Sequence, residues 1–298
     1  MSQLIAFHQL TKRYGAVQAL DGLTAEVASG RITAFLGANG SGKTTTMRVL
    51  LGLAEPTAGS ATIDGRAYRD LAHPTRAIGA VLDQGFHPHR SARNHLRIVA
   101  AQAGVPKNRI EGVLDVVGLT DAAGRRVGGY SLGMRQRLAL AAALVPEPAI
   151  LVLDEPFNGL DPHGIQIMRD FLRRFADNGG TVFLSSHLLA EVAHSADDAI
   201  IIDHGRLVSA GPIAGLLTTN PTVVVTTPDA ELLAVALEHR GATVTRHRPE
   251  EIVVADVNRE AIGRAALDVG AVIVDMRAHG DVLESIFQNL IHPQEAAS

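Results

Sequence analysis

The sequence of 298 residues contains no cysteine. That excludes disulfides, thiolate zinc sites, iron–sulfur clusters and a thiol nucleophile. Tryptophan is also absent, and lysine is nearly so: only Lys12, Lys43 and Lys107 occur, the other basic residues being arginine. A chain that avoids lysine yet keeps Lys43 inside a glycine-rich loop has a use for it there. Positive charge is not in excess. The formal net charge is −4, which argues against a protein held to nucleic acid by bulk charge. Long apolar runs are missing as well. The longest, around residues 138–146, is bounded by Arg137 and Glu147, well short of the ~20 apolar residues a spanning helix needs. A mean hydropathy of +0.14 therefore does not imply a membrane segment. From Met1 to Leu10 no basic region precedes an apolar run, so no signal peptide is expected. The expected location is cytoplasmic, and any work at a membrane requires another chain to supply the span.

Hydrophobic residues make up 46% and charged residues 19%, the balance of a globular chain. At roughly 150 residues per domain the length corresponds to about two domains. Residues 4–10, 23–27, 32–36, 61–63 and 78–82 read as strands. The spacing of Met47, Leu50 and Leu51 predicts a helix over 45–53. From 91 to 145 the chain reads as mostly helical, with breaks near Gly104, Gly118 and Gly128-Gly129. The apolar run 149–153 suits a buried parallel strand. A helix (164–178), a strand (181–185), a helix (188–195) and a strand (199–203) follow. This alternation predicts a parallel sheet covered by helices on both faces. A seam falls between Gly211 and Pro221. Beyond it, strands at 223–226, 243–246, 252–255 and 272–275 and helices at 230–240, 259–269 and 281–290 give the order βαββαβ, the split-βαβ or ferredoxin-like arrangement.

Gly37-Ala38-Asn39-Gly40-Ser41-Gly42-Lys43-Thr44 matches G-x-x-x-x-G-K-[ST] between a predicted strand and a predicted helix, with Thr45 next. Glycines let the backbone curl so that N–H groups face phosphate oxygens, and the following helix adds its positive end. Lys43 supplies a point charge for the outer phosphates, and the Thr44 hydroxyl is a hard oxygen ligand for Mg²⁺. Ile150-Leu151-Val152-Leu153-Asp154-Glu155 ends a buried strand on two carboxylates, at the sheet edge where ligands bind. Asp154 is the candidate Mg²⁺ ligand, and Glu155 the candidate base that orients water.

In this context the chain resembles the ATP-binding subunits of ABC transporters over about residues 3–215. Tyr130-Ser131-Leu132-Gly133-Met134-Arg135-Gln136-Arg137 is similar to the family signature, usually Leu-Ser-Gly-Gly-Gln, and departs from it at Tyr130, Leu132 and Met134. Asn158-Gly159-Leu160-Asp161 resembles the D-loop, and Ser185-Ser186-His187 the H-loop. The resemblance implies that Tyr14 stacks on adenine and that His187 reaches the γ-phosphate. It implies also that Ser131, Gly133, Met134 and Asp161 serve a nucleotide held by a partner. The family's Q-loop glutamine falls on Asp83, with Gln84 the neighbouring alternative for the Mg²⁺/water role. Arg90, Arg93 and Arg97 read either as a solvated face or, by the resemblance, as contact with a membrane partner. His87-Pro88-His89 reads as a loop.

The implied fold is an α/β P-loop NTPase (ABC ATPase) core with an antiparallel β subdomain and a helical subdomain at about 91–145. The expected domains are 1–215 and a small α+β ferredoxin-like domain at 221–298. The implied activity is hydrolysis of ATP with Mg²⁺, driving closure of a head-to-tail dimer, most simply a homodimer, that powers separate transmembrane permease subunits. The signature variant, the Asp83 region and the small C-terminal domain resemble the drug- or antibiotic-export type, an exporter of drugs or other small hydrophobic compounds placed peripherally on the cytoplasmic face of the membrane. The alternative is a soluble ABC ATPase acting on nucleic acid or ribosomes. It would need tandem cassettes, a long coiled coil or a basic surface, none of which the sequence displays. A GTP switch would need an Asn-Lys-x-Asp motif, which is absent.

Overall fold

The computed structural model describes residues 5–82, 85–186, 195–216, 223–255 and 257–278. Asp83, Gln84 and His187, and the helices expected at 188–195 and 281–290, lie outside these residues, apart from Ser195 at the end of the first. The chain divides into two compact units between Ala210 and Gly211.

The first unit opens with three antiparallel strands, β1 (Ile5–Tyr14), β2 (Val17–Val27) and β4 (Ala58–Ile63), in the order β2-β1-β4. The polar stretch from Thr11 to Tyr14 remains strand because β1 pairs there with β2, Tyr14 facing Val17. A second, six-stranded sheet runs β5-β6-β7-β3-β8-β9. Its members are β3 (Ile32–Leu36), β5 (Ile78–Val81), β6 (Ile150–Leu153), β7 (Thr181–Ser186), β8 (Asp198–Asp203) and β9 (Arg206–Pro212). The pairs β5–β6, β6–β7, β7–β3 and β3–β8 are parallel. Every residue of β3, β6 and β7 is buried, as expected of parallel strands covered on both faces. β9 escapes a reading by hydrophobic pattern because no residue in it is buried.

The Phe7 ring of the antiparallel sheet packs tilted against Phe183 of the parallel sheet at 5.8 Å between centroids, and Phe183 in turn lies 5.2 Å from Phe35. One core therefore joins both sheets to Met47 and Leu50 of helix α1 (Lys43–Leu50). The helix predicted to run to residue 53 ends at Leu50. After the short α2 (Pro74–Ala77), helices α3 (Ala92–Ala103), α4 (Arg109–Val116) and α5 (Leu132–Leu144) pack on one another, α3 and α4 both meeting α5. α6 (Pro162–Asp177) starts on the Asp161 cap with proline in its first turn and buries Met168, Leu172 and Ala176 at four-residue spacing.

The second unit includes the short α7 (Ile213–Leu216). It contains β10 (Val223–Thr226), α8 (Ala230–Glu238), β11 (Thr243–Arg248), β12 (Glu251–Ala255), α9 (Arg259–Val269) and β13 (Asp275–Ala278). The strands form an antiparallel sheet in the order β11-β12-β10-β13. Val223, Val225, Ile252 and Val254 share a core with Leu233, Leu237 and Ile262 of the two helices. The strand expected at 272–275 is displaced. Val272 and Val274 are exposed, and the ladder with β10 begins only at Asp275, opposite Thr226. Apolar side chains made these residues look like strand, yet their amides are taken by Asp229 Oδ2 and by the Thr226 carbonyl.

Candidate functional site

Parallel register brings the C-terminal ends of β3, β7 and β6 side by side: Leu36 pairs with Ser186, and Leu153 with Leu184. The glycine-rich loop leaves the end of β3 and the two carboxylates leave the end of β6. Gly42 closes the loop at φ 109°, and a Cβ there would stand 2.6 Å from the Ala19 carbonyl oxygen. Only glycine satisfies both conditions. Gly42 also caps α1 without any side-chain hydrogen bond, so no capping side chain competes for the first-turn N–H groups of the helix.

The Lys43 side chain is buried, and its ammonium donates to the carbonyls of Gly37 at 2.6 Å and Ala38 at 3.2 Å. It stands 3.9 Å from Glu155 Oε1. Burial pushes the lysine below its ordinary pKa, while the charges of Glu155 and Asp154 pull it back up. The Thr44 hydroxyl donates to Asp154 Oδ2 at 2.6 Å. On the other carboxylate oxygen, Ser185 Oγ donates to Asp154 Oδ1 at 2.5 Å, and the Glu155 amide donates to that same Ser185 Oγ at 2.8 Å. Glu155 sits at φ 50°, the left-handed region that non-glycine residues rarely adopt.

A cavity of ≈ 210 Å³ is lined by Asn39, Gly40, Gly42, Lys43, Thr44, Thr45, Glu155 and Ala19. Ser41 Oγ is buried without a hydrogen-bond partner among the described residues. Curled backbone, uncapped helix start and buried cation fit a polyphosphate. The hydroxyl of Thr44 and the carboxylate of Asp154 are hard oxygen donors, and they fit Mg²⁺, which takes one or two protein ligands and completes its shell with water and phosphate oxygen. Tyr14 is half-exposed, with the Lys12 ammonium 4.7 Å from its ring centre.

The residues of the expected signature lie elsewhere. Ser131, Gly133 and Met134 line a separate cavity of ≈ 330 Å³ with Gly159 and Asp161, and this cavity shares no residue with the first. Ser131 Oγ caps α5 by accepting from the Met134 amide at 3.2 Å, and Asp161 Oδ1 caps α6 by accepting from the Gly164 amide at 2.9 Å. Tyr130 is buried and its hydroxyl donates to the Ala122 carbonyl at 2.7 Å, which accounts for a tyrosine at this position. Leu132 is half-exposed, its side chain lying where a Cβ on Gly159 would be, 2.1 Å away. Gly159, at φ 74°, accommodates the bulkier signature residue. Arg93 forms a paired hydrogen bond with Glu111.

Sequence reasoning brought Lys43, Thr44, Asp154 and Glu155 to one site, and the structure gathers them there. It missed Ser185 as a member. The signal was a serine directly after the apolar run Val182–Leu184, on the strand next to the one that carries the acids.

This arrangement defines a P-loop nucleoside-triphosphatase. Residues 20–158 match the family model described as ABC transporter, and residues 221–284 match a domain of unknown function, DUF8746. The bacitracin transport ATP-binding protein BcrA of Bacillus licheniformis is 42% identical over 224 residues, covering 74% of this chain and 73% of that protein. The lantibiotic transport ATP-binding protein SrtF of Streptococcus pyogenes is 38% identical over 208 residues, covering 69% and 89%. A solved ATP-binding subunit of an ABC transporter superposes with a TM-score of 0.65 at 28% identity, covering 72% of this chain and 91% of that one. The chain belongs to the ATP-binding subunits of ABC transporters, ATPases whose hydrolysis powers transport. No helix of the described residues is long and apolar enough to cross a membrane.

Proposed function

We propose that this subunit drives export of antibiotics, a reading supported by its relatives named for bacitracin and lantibiotic transport. It works as a head-to-tail pair of identical chains, docked on separate transmembrane permease subunits at the cytoplasmic face of the membrane. Nothing in the relatives' names supports the alternative of action on nucleic acid or ribosomes. One observation carries the pairing: the cavity holding Lys43 and Glu155 and the cavity holding Ser131 and Gly133 have no residue in common within one chain. This separation of the two sets supports a nucleotide held between two chains.

In this reading Tyr14 stacks on adenine, and the loop from Gly37 to Thr45 cradles the phosphates. Lys43 exchanges its carbonyl partners for phosphate oxygens. Thr44 and Asp154 hold Mg²⁺, with Asp83 or Gln84 contributing from the Q-loop position. Held there, Mg²⁺ would supply positive charge to offset that of the phosphates. Glu155 orients the attacking water and takes its proton, and His187 reaches the γ-phosphate. Ser131, Gly133, Met134 and Asp161 meet the nucleotide of the partner. ATP thus stabilises the closed pair by binding, and hydrolysis removes that stabilisation. The ATP-binding domain spans 1–215, its helical part near 91–145 conveying closure to the permease. Residues 221–298 serve as an accessory domain; the βαββαβ order and the antiparallel sheet of its described residues support the ferredoxin-like reading.

The test is purification of the tagged chain from its native membranes in mild detergent, with mass spectrometry. A polytopic membrane protein in equal amount is the expected result. Recovery only from the soluble fraction, with ribosomal or DNA-repair proteins, would overturn the permease assignment while leaving the ATPase intact.

A further inference from the structure

We infer that Ser185 is a positioning residue for ATP hydrolysis, its one hydroxyl setting the two consecutive acidic residues Asp154 and Glu155 at the same time. The inference rests on the roles proposed above for those two residues. Ser185 is fully buried. It lies on β7 one residue past Leu184, the partner of Leu153 in the β6–β7 ladder, and so falls beside Asp154 where β6 ends. A serine in a buried strand must place its hydroxyl proton and a lone pair, and both go to the acidic pair. The proton goes to Asp154 Oδ1 at 2.5 Å, and the lone pair receives the Glu155 amide at 2.8 Å.

These two bonds have different consequences. Asp154 is gripped from two elements, by Ser185 on one oxygen and by Thr44 of α1 on the other. Its carboxylate plane cannot rotate without breaking one of them. Glu155 holds a left-handed backbone, φ 50°, which a non-glycine residue keeps only where its surroundings impose it. The amide bond to Ser185 imposes it, and the backbone torsion aims the Glu155 side chain. Losing the hydroxyl frees the backbone to relax toward ordinary torsions and moves the carboxylate. A displacement of ~1 Å lowers turnover by about 100-fold in well-oriented sites. Phosphate binding depends on Lys43 and residues 37–45, none of which touches Ser185 through a described hydrogen bond.

The experiment compares the full-length chain with Ser185→Ala and Ser185→Thr. It measures kcat and KM for ATP, binding of a fluorescent ATP analogue without Mg²⁺, and amide hydrogen exchange at single-residue resolution in the nucleotide-free protein. Ser185→Ala is expected to lose roughly 10- to 100-fold in kcat, with KM and Mg²⁺-free binding within about twofold of wild type. Ser185→Thr, which keeps a hydroxyl, should recover most of the loss. The Glu155 amide should exchange faster in Ser185→Ala while Val182 and Leu184 keep their protection. Wild-type turnover in Ser185→Ala, or unchanged exchange at Glu155, overturns the inference. Uniform loss of protection along β7 overturns it too, because the serine would then only stabilise the strand. The exchange result also keeps the inference separate from the role of Glu155: full activity of Glu155→Gln would refute the base assignment whatever the Glu155 amide does.

Discussion

Thr44 and Asp154 stand 110 residues apart in the chain, and their side-chain oxygens meet at 2.6 Å. One belongs to the first turn of α1 and the other follows β6, with β7 between their parent strands in the sheet. Parallel pairing alone puts them at the same edge, because β3, β7 and β6 all end there. Two hard oxygens from different elements then share one point beside a buried ammonium, and the chemistry of phosphoryl transfer follows from that point.

Replacing Lys43 by alanine removes a charged donor from the phosphate cradle. A hydrogen bond to a charged group contributes about 1.5–3 kcal/mol, so the dissociation constant for ATP should rise roughly 10- to 150-fold. Equilibrium titration with a fluorescent ATP analogue checks this, and unchanged affinity would refute the assignment of Lys43 to the phosphates.

Glu155→Gln keeps the shape of the side chain and removes the base. General-base contributions are typically ~10²–10⁴-fold, so kcat should fall by that factor while ATP still binds. Size-exclusion chromatography should then find a dimer that forms with ATP and dissolves without it. Turnover equal to wild type would assign the base elsewhere.

Tyr14 is half-exposed on the antiparallel sheet, and the proposed function has it stack on adenine. Tyr14→Ala should weaken ATP binding by about fivefold, from ~1 kcal/mol of ring contact, and Tyr14→Phe should restore it. An alanine variant that binds ATP as tightly as wild type would leave Tyr14 as a packing residue only.

Met134 stands where the family carries glutamine and cannot donate a hydrogen bond across the dimer. Met134→Gln in the Glu155→Gln background should lower the protein concentration at which the ATP-dependent dimer forms by roughly 30-fold, because a symmetric pair gains one hydrogen bond of ~1 kcal/mol at each of its two sites. Sedimentation velocity across a dilution series reads this directly, and a dimer no tighter than before counts against a place for Met134 in the pair.

The second unit has its own core, and Leu233 is fully buried in it. Leu233→Ala should destabilise that unit by about 2–5 kcal/mol, seen as an early step in thermal unfolding. ATP affinity should stay unchanged. A single unfolding transition shifted as a whole would mean that the two units unfold together.

The phosphate loop was legible because its chemistry is consecutive: eight residues between a strand and a helix carry backbone, cation and hydroxyl together. Asp154 and Glu155 were legible because a buried apolar run ends on them. The apolar residues 272–274 misled, since their side chains resemble a strand while the Val272 amide bonds to Asp229 Oδ2 and the ladder with β10 begins only at Asp275. β9 was invisible for the opposite reason, being a strand by pairing alone with no buried residue.

Composition and local pattern by themselves determined that this chain binds nucleotide, needs no thiol chemistry and carries no long apolar span. Those properties depend on short segments whose chemistry is independent of what folds against them. Only the tertiary structure decided which strand stands beside β6, and hence that a serine of β7 reaches both acids. Strand order is set by packing over the whole core, from Phe7 through Phe183 to Phe35, and hydrophobic periodicity along one strand carries no information about its neighbour. For the same reason the tertiary structure alone revealed that Leu132, in the first turn of α5, lies against Gly159 of the turn that precedes α6.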